Sequence, residues 1–211
     1  MRHLKLGVLL SGGGTTLENI FDHIAAGQLD AEVAVVGSSR KDAYGLVRAA
    51  NHGVASFVVE SRRYRGDVEG FSEAVFGELG HYEIDLLILA GFMCLLRLPE
   101  AFLGRAMNIH PALIPAFCGK GFYGHHVHEA VLAYGAKVSG CTVHFVDNVY
   151  DHGPIIVQKA VAVAEDDTPD TLQARVFEKE CEAYPEAIRL FGEGRLRIEG
   201  RRVRVLPEPK A

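Results

Sequence analysis

Short apolar runs of strand length alternate along the first half of the chain with longer stretches of helical period, and this alternation constrains the fold more than any other feature of the sequence. Leu6 to Leu10 is followed by a helical stretch from Leu17 to Ala26, then a run from Ala31 to Val36, and a second helical stretch from Ala43 to Asn51. The pattern continues with Ala55 to Val59, an amphipathic stretch around Val68 to Leu79, and the almost unbroken apolar run Leu86 to Ala90. Strands that are apolar on both faces belong to a parallel sheet covered by helices on each side. The expected fold class is therefore α/β, with a mostly parallel central sheet and helices on both faces.

After Met107 the grammar changes. A helical stretch from His125 to Tyr134 precedes two strand-like runs, Thr142 to Val146 and Ile155 to Val163, separated by a Gly-Pro turn, which predicts a mixed or antiparallel C-terminal part. A long helix is expected from Thr168 to Phe191, with Thr168 as N-cap, Pro169 at its first position, and Gly192 and Gly194 as stop signals. Arg195 to Val205 reads as a hairpin turning at Glu199-Gly200; its arginines read as a solvated face with no assigned role. At 211 residues, one core is the working expectation: a single domain over 1–211. Within it fall an N-terminal nucleotide-binding half at about 1–106, a C-terminal catalytic half at about 107–194, and a hairpin at 195–206. The net charge of -5 gives no general reason to bind nucleic acid. The N-terminal apolar run is too short for a signal peptide or a membrane span, so a cytoplasmic location is expected.

Two motifs carry chemistry. Ser11-Gly12-Gly13-Gly14-Thr15-Thr16 lies between the first expected strand and helix, where glycines let backbone approach a ligand and the helix start favours an anion. It is neither a P-loop nor a dinucleotide fingerprint, and a mononucleotide-like phosphate suits it better; a plain tight turn is the alternative. Met107-Asn108-Ile109-His110-Pro111 ends a short apolar segment. Residues two apart in a strand share a face, so Asn108 and His110 present an amide donor and an imidazole side by side. That pair suits a reaction that forms a tetrahedral oxyanion and moves a proton, such as acyl or formyl transfer. Asp151, in the acidic loop Asp147 to Asp151, is the candidate carboxylate that would raise the pKa of His110. A satisfied core histidine and ordinary turn aspartates are the bland alternatives.

Taken in order, the glycine loop, Ala90-Gly91-Phe92-Met93, Asn108-Ile109-His110-Pro111, Val143-His144-Phe145-Val146 and Asp151-x-Gly153-Pro154 resemble the signatures of the formyltransferase family. Asp42-Ala43-Tyr44-Gly45-Leu46 and the stretch holding Glu180 and Tyr184-Pro185 resemble members acting on glycinamide ribonucleotide. The resemblance implies a folate-binding Rossmann-like domain, 10-formyltetrahydrofolate as cosubstrate and glycinamide ribonucleotide as acceptor; no metal is called for, and the expected assembly is a monomer or homodimer. It implies oxyanion stabilisation by Asn108, proton transfer by His110 with Asp151 as its partner, and substrate contacts from Gly14, Thr15, Thr16 and Glu180. Folate contacts are implied for Met93, Cys94, Leu95 and Leu96, and for Asp147, Asn148, Val149 and Tyr150. Here Cys94 stands where the family usually has arginine, and Gly13 and Thr16 stand where it usually has asparagine.

The loop Phe117 to His126 is longer and more aromatic than the corresponding loop of many relatives, and its Lys120 is a candidate for an anionic part of either substrate. His125, His126 and His128 do not share one helix face and are not read as a metal set. The four cysteines, Cys94, Cys118, Cys141 and Cys181, read as buried free thiols. Two other functions compete. One is a different formyl-folate enzyme, a hydrolase or a methionyl-tRNA formyltransferase, disfavoured by chain length. The other is a non-catalytic folate- or nucleotide-binding module, disfavoured by intact Asn108, His110 and Asp151.

Overall fold

The computed structural model describes residues 3–208. The chain divides between Met107 and Asn108 into two compact units. Among the described residues the strand pairings are mostly parallel in an α/β arrangement with five α-helices.

In the first unit, strands β1 (Leu4–Leu10), β2 (Ala31–Ser38), β3 (Ser56–Val58) and β4 (Leu86–Leu89) stand in the order β3-β2-β1-β4. Every pairing among them is parallel, with Leu6 opposite both Val33 and Leu86. Helices α1 (Thr15–Ala25), α2 (Gly45–Asn51) and α3 (Val68–Leu79) make the crossovers. Leu6, Val8, Leu10, Leu86, Leu87 and Ile88 are fully buried, as strands apolar on both faces require. The chain extends from β1 to β2 and β3 on one side, then returns to place β4 on the other. The carboxyl end of β1 is therefore a point where strand order reverses, the usual place for a ligand in an open α/β sheet.

The second unit is organised differently. Strand β5 (Ala106–His110) runs into it, and helix α4 (His125–Tyr134) leads to β6 (Val138–Phe145) and β7 (Ile155–Ala162), an antiparallel pair with Val138 opposite Ala162. Helix α5 (Pro169–Gly192) packs on both strands, burying Leu172, Val176, Ala183, Tyr184 and Ile188. Strands β8 (Leu196–Glu199) and β9 (Arg202–Val205) form the expected hairpin, and β9 joins β7 in parallel through Ile155 and Arg202.

Two expectations are corrected. Strand β6 begins at Val138, four residues ahead of Thr142, and contains Gly140, which resembles a strand breaker in sequence. A Cβ on Gly140 would lie 2.1 Å from the Lys159 carbonyl oxygen of β7, so glycine stands there because the neighbouring strand passes too close for a side chain. Of the four cysteines, all free, only Cys141 is fully buried; the other three are half-buried. Among the described residues no helix is long and apolar enough to cross a membrane.

Helix α5 starts as expected. The Thr168 hydroxyl accepts the Thr171 backbone N–H at 3.2 Å, and the Thr171 hydroxyl accepts the Thr168 N–H at 2.9 Å, a reciprocal capping box. Replacing Thr168 with alanine is expected to cost about 1 kcal/mol, seen as a lower urea midpoint with an unchanged denaturant slope.

Candidate active site

Strand β5 delivers Asn108 and His110 on one face, and the loop between β6 and β7 brings Asp151 to both. Asn108 Nδ2 lies 3.4 Å from Asp151 Oδ1, and His110 Nδ1 lies 3.5 Å from Asp151 Oδ2. The Gly119 N–H donates to Asp151 Oδ2 at 2.8 Å, and His144 Nε2 stands 3.8 Å from Oδ1. Asp151 itself adopts φ 50°, a left-handed conformation that is uncommon outside glycine. A single carboxylate is thus the meeting point of two strands and two loops.

Hydrogen bonds settle how these rings are protonated. His110 Nε2 faces the Phe117 carbonyl oxygen at 2.8 Å, so that nitrogen carries a hydrogen and donates it. In the neutral ring Nδ1 is then a bare lone pair aimed at Asp151, and adding a proton turns that contact into a charge-assisted hydrogen bond. His144 Nδ1 donates to the Phe145 carbonyl at 2.7 Å, which leaves its Nε2 to accept from Asn108 Nδ2 at 3.2 Å. The second hydrogen of Asn108 makes only the 3.4 Å contact to Asp151, at the long limit for a hydrogen bond and hence the cheaper one to redirect to a reacting oxygen.

His110 is only 3% exposed. That burial is the largest influence on its ring and holds its pKa below the usual histidine value, although the Asp151 charge and the Phe117 carbonyl push upward. The expectation that Asp151 would raise His110 is therefore corrected in its net direction: the carboxylate acts as expected and desolvation outweighs it. For Asp151, burial alone would raise the carboxyl, but His144, the His110 charge and the Gly119 N–H together keep it below the ordinary aspartate value. Glu180, half-buried on α5, is pushed up to about 7 by desolvation.

The rest of the acidic loop is ordered by Asp147, whose Oδ1 accepts the Val149 N–H at 2.9 Å and whose Oδ2 takes a hydrogen bond from His152 Nδ1 at 2.7 Å. Asn148 belongs to this turn, and Val149 and Tyr150 expose large apolar surfaces. Lys120 is exposed, one residue beyond the Gly119 N–H that reaches Asp151.

In the first unit the glycine loop follows β1, and Gly14 caps α1 in a left-handed conformation with Thr15 and Thr16 opening the helix. Arg48 braces the loop, donating from Nε to the Gly13 carbonyl at 2.9 Å and from Nη1 to Glu18 at 2.8 Å. A Cβ at Gly12 or Gly13 would meet nothing within 4 Å, so the space above this backbone is open. Ser11 joins the loop to the turn expected to contact folate: its N–H donates to the Gly91 carbonyl at 3.0 Å, and its hydroxyl accepts the Met93 N–H at 3.0 Å. Met93 is exposed, Cys94 and Leu95 are half-buried, and Leu96 is buried. Among the described residues, no group of three or more His, Cys, Asp or Glu is placed to hold a metal.

The model of the formyl transferase family matches residues 4–188. The chain belongs to this family. It is 40% identical over 199 residues to the chloroplastic phosphoribosylglycinamide formyltransferase of Arabidopsis thaliana, covering 93% of this chain and 68% of that one. The Haemophilus influenzae phosphoribosylglycinamide formyltransferase is 36% identical, covering 92% of this chain and 90% of its own. Among solved structures, the glycinamide ribonucleotide transformylase 1 of Symbiobacterium toebii superposes with a TM-score of 0.89 at 47% identity, over 97% of this chain and 95% of that one.

Sequence reasoning missed His144, the Phe117 carbonyl and the Gly119 N–H. A signal for His144 was present. In β6 the apolar residues Cys141, Val143 and Phe145 alternate with Thr142 and His144, and two polar residues at i and i+2 of a buried strand need partners on the same face. Thr142 finds them in the Ala112 carbonyl at 2.7 Å and the Ile114 N–H at 3.1 Å.

His128, on α4, is 1% exposed and its Nδ1 has no partner among the described residues. Burial drives its pKa down to about 4. A histidine depressed on folding leaves the unfolded state holding more protons between the two pKa values, so its stability contribution falls as pH drops from about 6.5 towards 4. His128→Leu is expected to flatten urea-derived stability across that window relative to wild type, by up to about 3 kcal/mol, while leaving the values above pH 7 nearly parallel.

Proposed function

We propose that Asn108, His110 and Asp151 carry out formyl transfer in this chain, a reading supported above all by one largely desolvated carboxylate that faces both an imidazole at 3.5 Å and an amide at 3.4 Å. The chain is an enzyme of the formyltransferase family. It moves the formyl group of 10-formyltetrahydrofolate to the amino group of glycinamide ribonucleotide, giving formylglycinamide ribonucleotide and tetrahydrofolate in purine biosynthesis.

The acceptor amine attacks the formyl carbon, and the carbonyl oxygen becomes an oxyanion. Asn108 donates to that oxygen with the hydrogen that makes the long contact to Asp151. As the new C–N bond forms, the amine becomes acidic and His110 accepts its proton; the carboxylate at 3.5 Å stabilises the resulting imidazolium. Breaking the bond from the formyl carbon to the folate nitrogen requires a proton on that nitrogen, and the His110-Asp151 pair returns it. The net proton count is unchanged.

In this reading, Gly14, Thr15 and Thr16 take the ribonucleotide phosphate on backbone N–H groups and hydroxyls at the start of α1, beside the open space over Gly12 and Gly13. Glu180 takes the glycyl end of the ribonucleotide. The folate contacts are Met93, Cys94, Leu95 and Leu96, and Asp147, Asn148, Val149 and Tyr150. The enzyme works in the cytoplasm as a monomer or homodimer.

Two measurements test this. Tetrahydrofolate release should require glycinamide ribonucleotide; release without it would make the chain a hydrolase instead. Asp151→Asn should lower kcat by roughly 10²–10⁴-fold while both substrates still bind in a direct titration, and near-normal turnover would remove Asp151 from the mechanism.

A further inference from the structure

The arginine-rich hairpin, which the sequence left without a role, contains one residue turned towards the catalytic loop. Arg197 and Arg204 pair with Glu199, and Arg195 pairs with Glu193, so these three are satisfied along the hairpin and the end of α5. Arg201, at the hairpin turn, instead reaches His152, the residue after Asp151. Its Nη2 donates to the His152 carbonyl at 2.8 Å, and its Nη1 lies 3.0 Å from His152 Nε2.

The other side of the same ring completes the arrangement. His152 Nδ1 donates to Asp147 Oδ2 at 2.7 Å, and Arg201 Nη1, 3.0 Å from Nε2 and 3.4 Å from Nδ1, lies against the imidazole rather than in line with the Nε2 lone pair. Asp147 in turn accepts the Val149 N–H. A chain of contacts therefore runs from Arg201, hydrogen-bonded to the His152 carbonyl and packed on its ring, through the His152-Asp147 hydrogen bond to the Val149 N–H, bracketing Asp151 from both sequence directions. Backbone fixes both ends of this bracket. Strand β9 pairs with β7 through Arg202 and Ile155, and a Cβ on Gly153 would lie 1.7 Å from the Phe145 carbonyl oxygen, so the loop closes tightly against β6. Asp151 holds a left-handed φ of 50°, uncommon outside glycine though better tolerated by aspartate than by most residues, so neighbouring contacts help to fix it.

We propose that Arg201 is a positioning residue for formyl transfer: by gripping His152 it holds Asp151 at the geometry His110 requires. This rests on the catalytic role given to Asp151 above. Arginine suits the task because its planar guanidinium can donate to the His152 carbonyl and lie against the imidazole at once, which a lysine ammonium on a flexible stem does less well.

The test is steady-state kinetics with both substrates on wild type, Arg201→Ala, Arg201→Lys, His152→Ala and the Arg201→Ala/His152→Ala double variant, with melting temperatures recorded alongside. Expected are a roughly tenfold fall in kcat for Arg201→Ala, an unchanged KM for the ribonucleotide, partial recovery in Arg201→Lys, and a double variant no worse than the poorer single one. Wild-type kcat and KM values in Arg201→Ala overturn the proposal, as do additive losses in the double variant. If wild type turns over and Asp151→Asn is inactive but Arg201→Ala is normal, the positioning role alone fails. If Asp151→Asn is itself active, the catalytic reading fails and takes this proposal with it.

Discussion

The Asp151 carboxylate is the constraint around which the catalytic part of the molecule is built. A carboxylate largely removed from water is costly unless hydrogen bonds and opposite charge replace the lost hydration. A backbone N–H from Gly119 and an amide hydrogen from Asn108 point at it, His110 adds opposite charge once its ring is protonated, and His144 holds the Asn108 amide in place. These groups come from three stretches of chain: β5 supplies two, β6 one, and the loop after β5 the fourth. The positions of these elements in the second unit follow from the need to bring all of them to one anion.

The same demand explains the shape of the loops. For the Gly119 N–H to reach Asp151, the preceding carbonyl of Phe117 must turn back towards His110, and Phe117 adopts φ 50° to do so. Its ring packs edge-on against Tyr134 of α4 at 5.7 Å, an apolar contact that helps hold an otherwise unfavourable backbone. The aromatic character of this long loop, which in the sequence resembled an unexplained insertion, thus has a local cause. In the first unit a comparable economy operates through Ser11, whose backbone and hydroxyl join the glycine loop to the Gly91-Met93 turn.

Much of this was legible in the sequence, for identifiable reasons. The parallel strands β1, β2 and β4 were visible because burial on both faces leaves an unbroken apolar run, and α5 because Thr168 and Pro169 mark its start chemically. Asn108 and His110 were visible because strand periodicity fixes their common face. What escaped were interactions made by backbone atoms, the Phe117 carbonyl and the Gly119 N–H, whose partners no side-chain identity reveals. Arg201 escaped for a related reason: an arginine in a run of arginines reads as solvated surface, and only the pairing of β9 with β7 reveals which one faces the loop. The net direction of the His110 shift escaped too. A sequence shows which charges are available to a histidine, and only the folded chain shows how far water is excluded from it.

That direction bears on the formyl transfer proposed for His110 and Asp151. A base that receives the amine's proton must begin unprotonated, and a ring kept below the ordinary histidine pKa by burial is neutral at pH 7 with its Nδ1 lone pair facing Asp151. Had the carboxylate dominated, the resting enzyme would hold an imidazolium already paired with its counterion, able to donate a proton but not to take one. With desolvation in the lead the order reverses: His110 starts as a base, and the attraction of Asp151 is felt in full only once the ring is charged. The carboxylate therefore stabilises the protonated intermediate more than the resting state, which is the differential that lowers a barrier. The returned proton then leaves from a ring whose burial disfavours keeping it, so one environment serves both halves of the transfer.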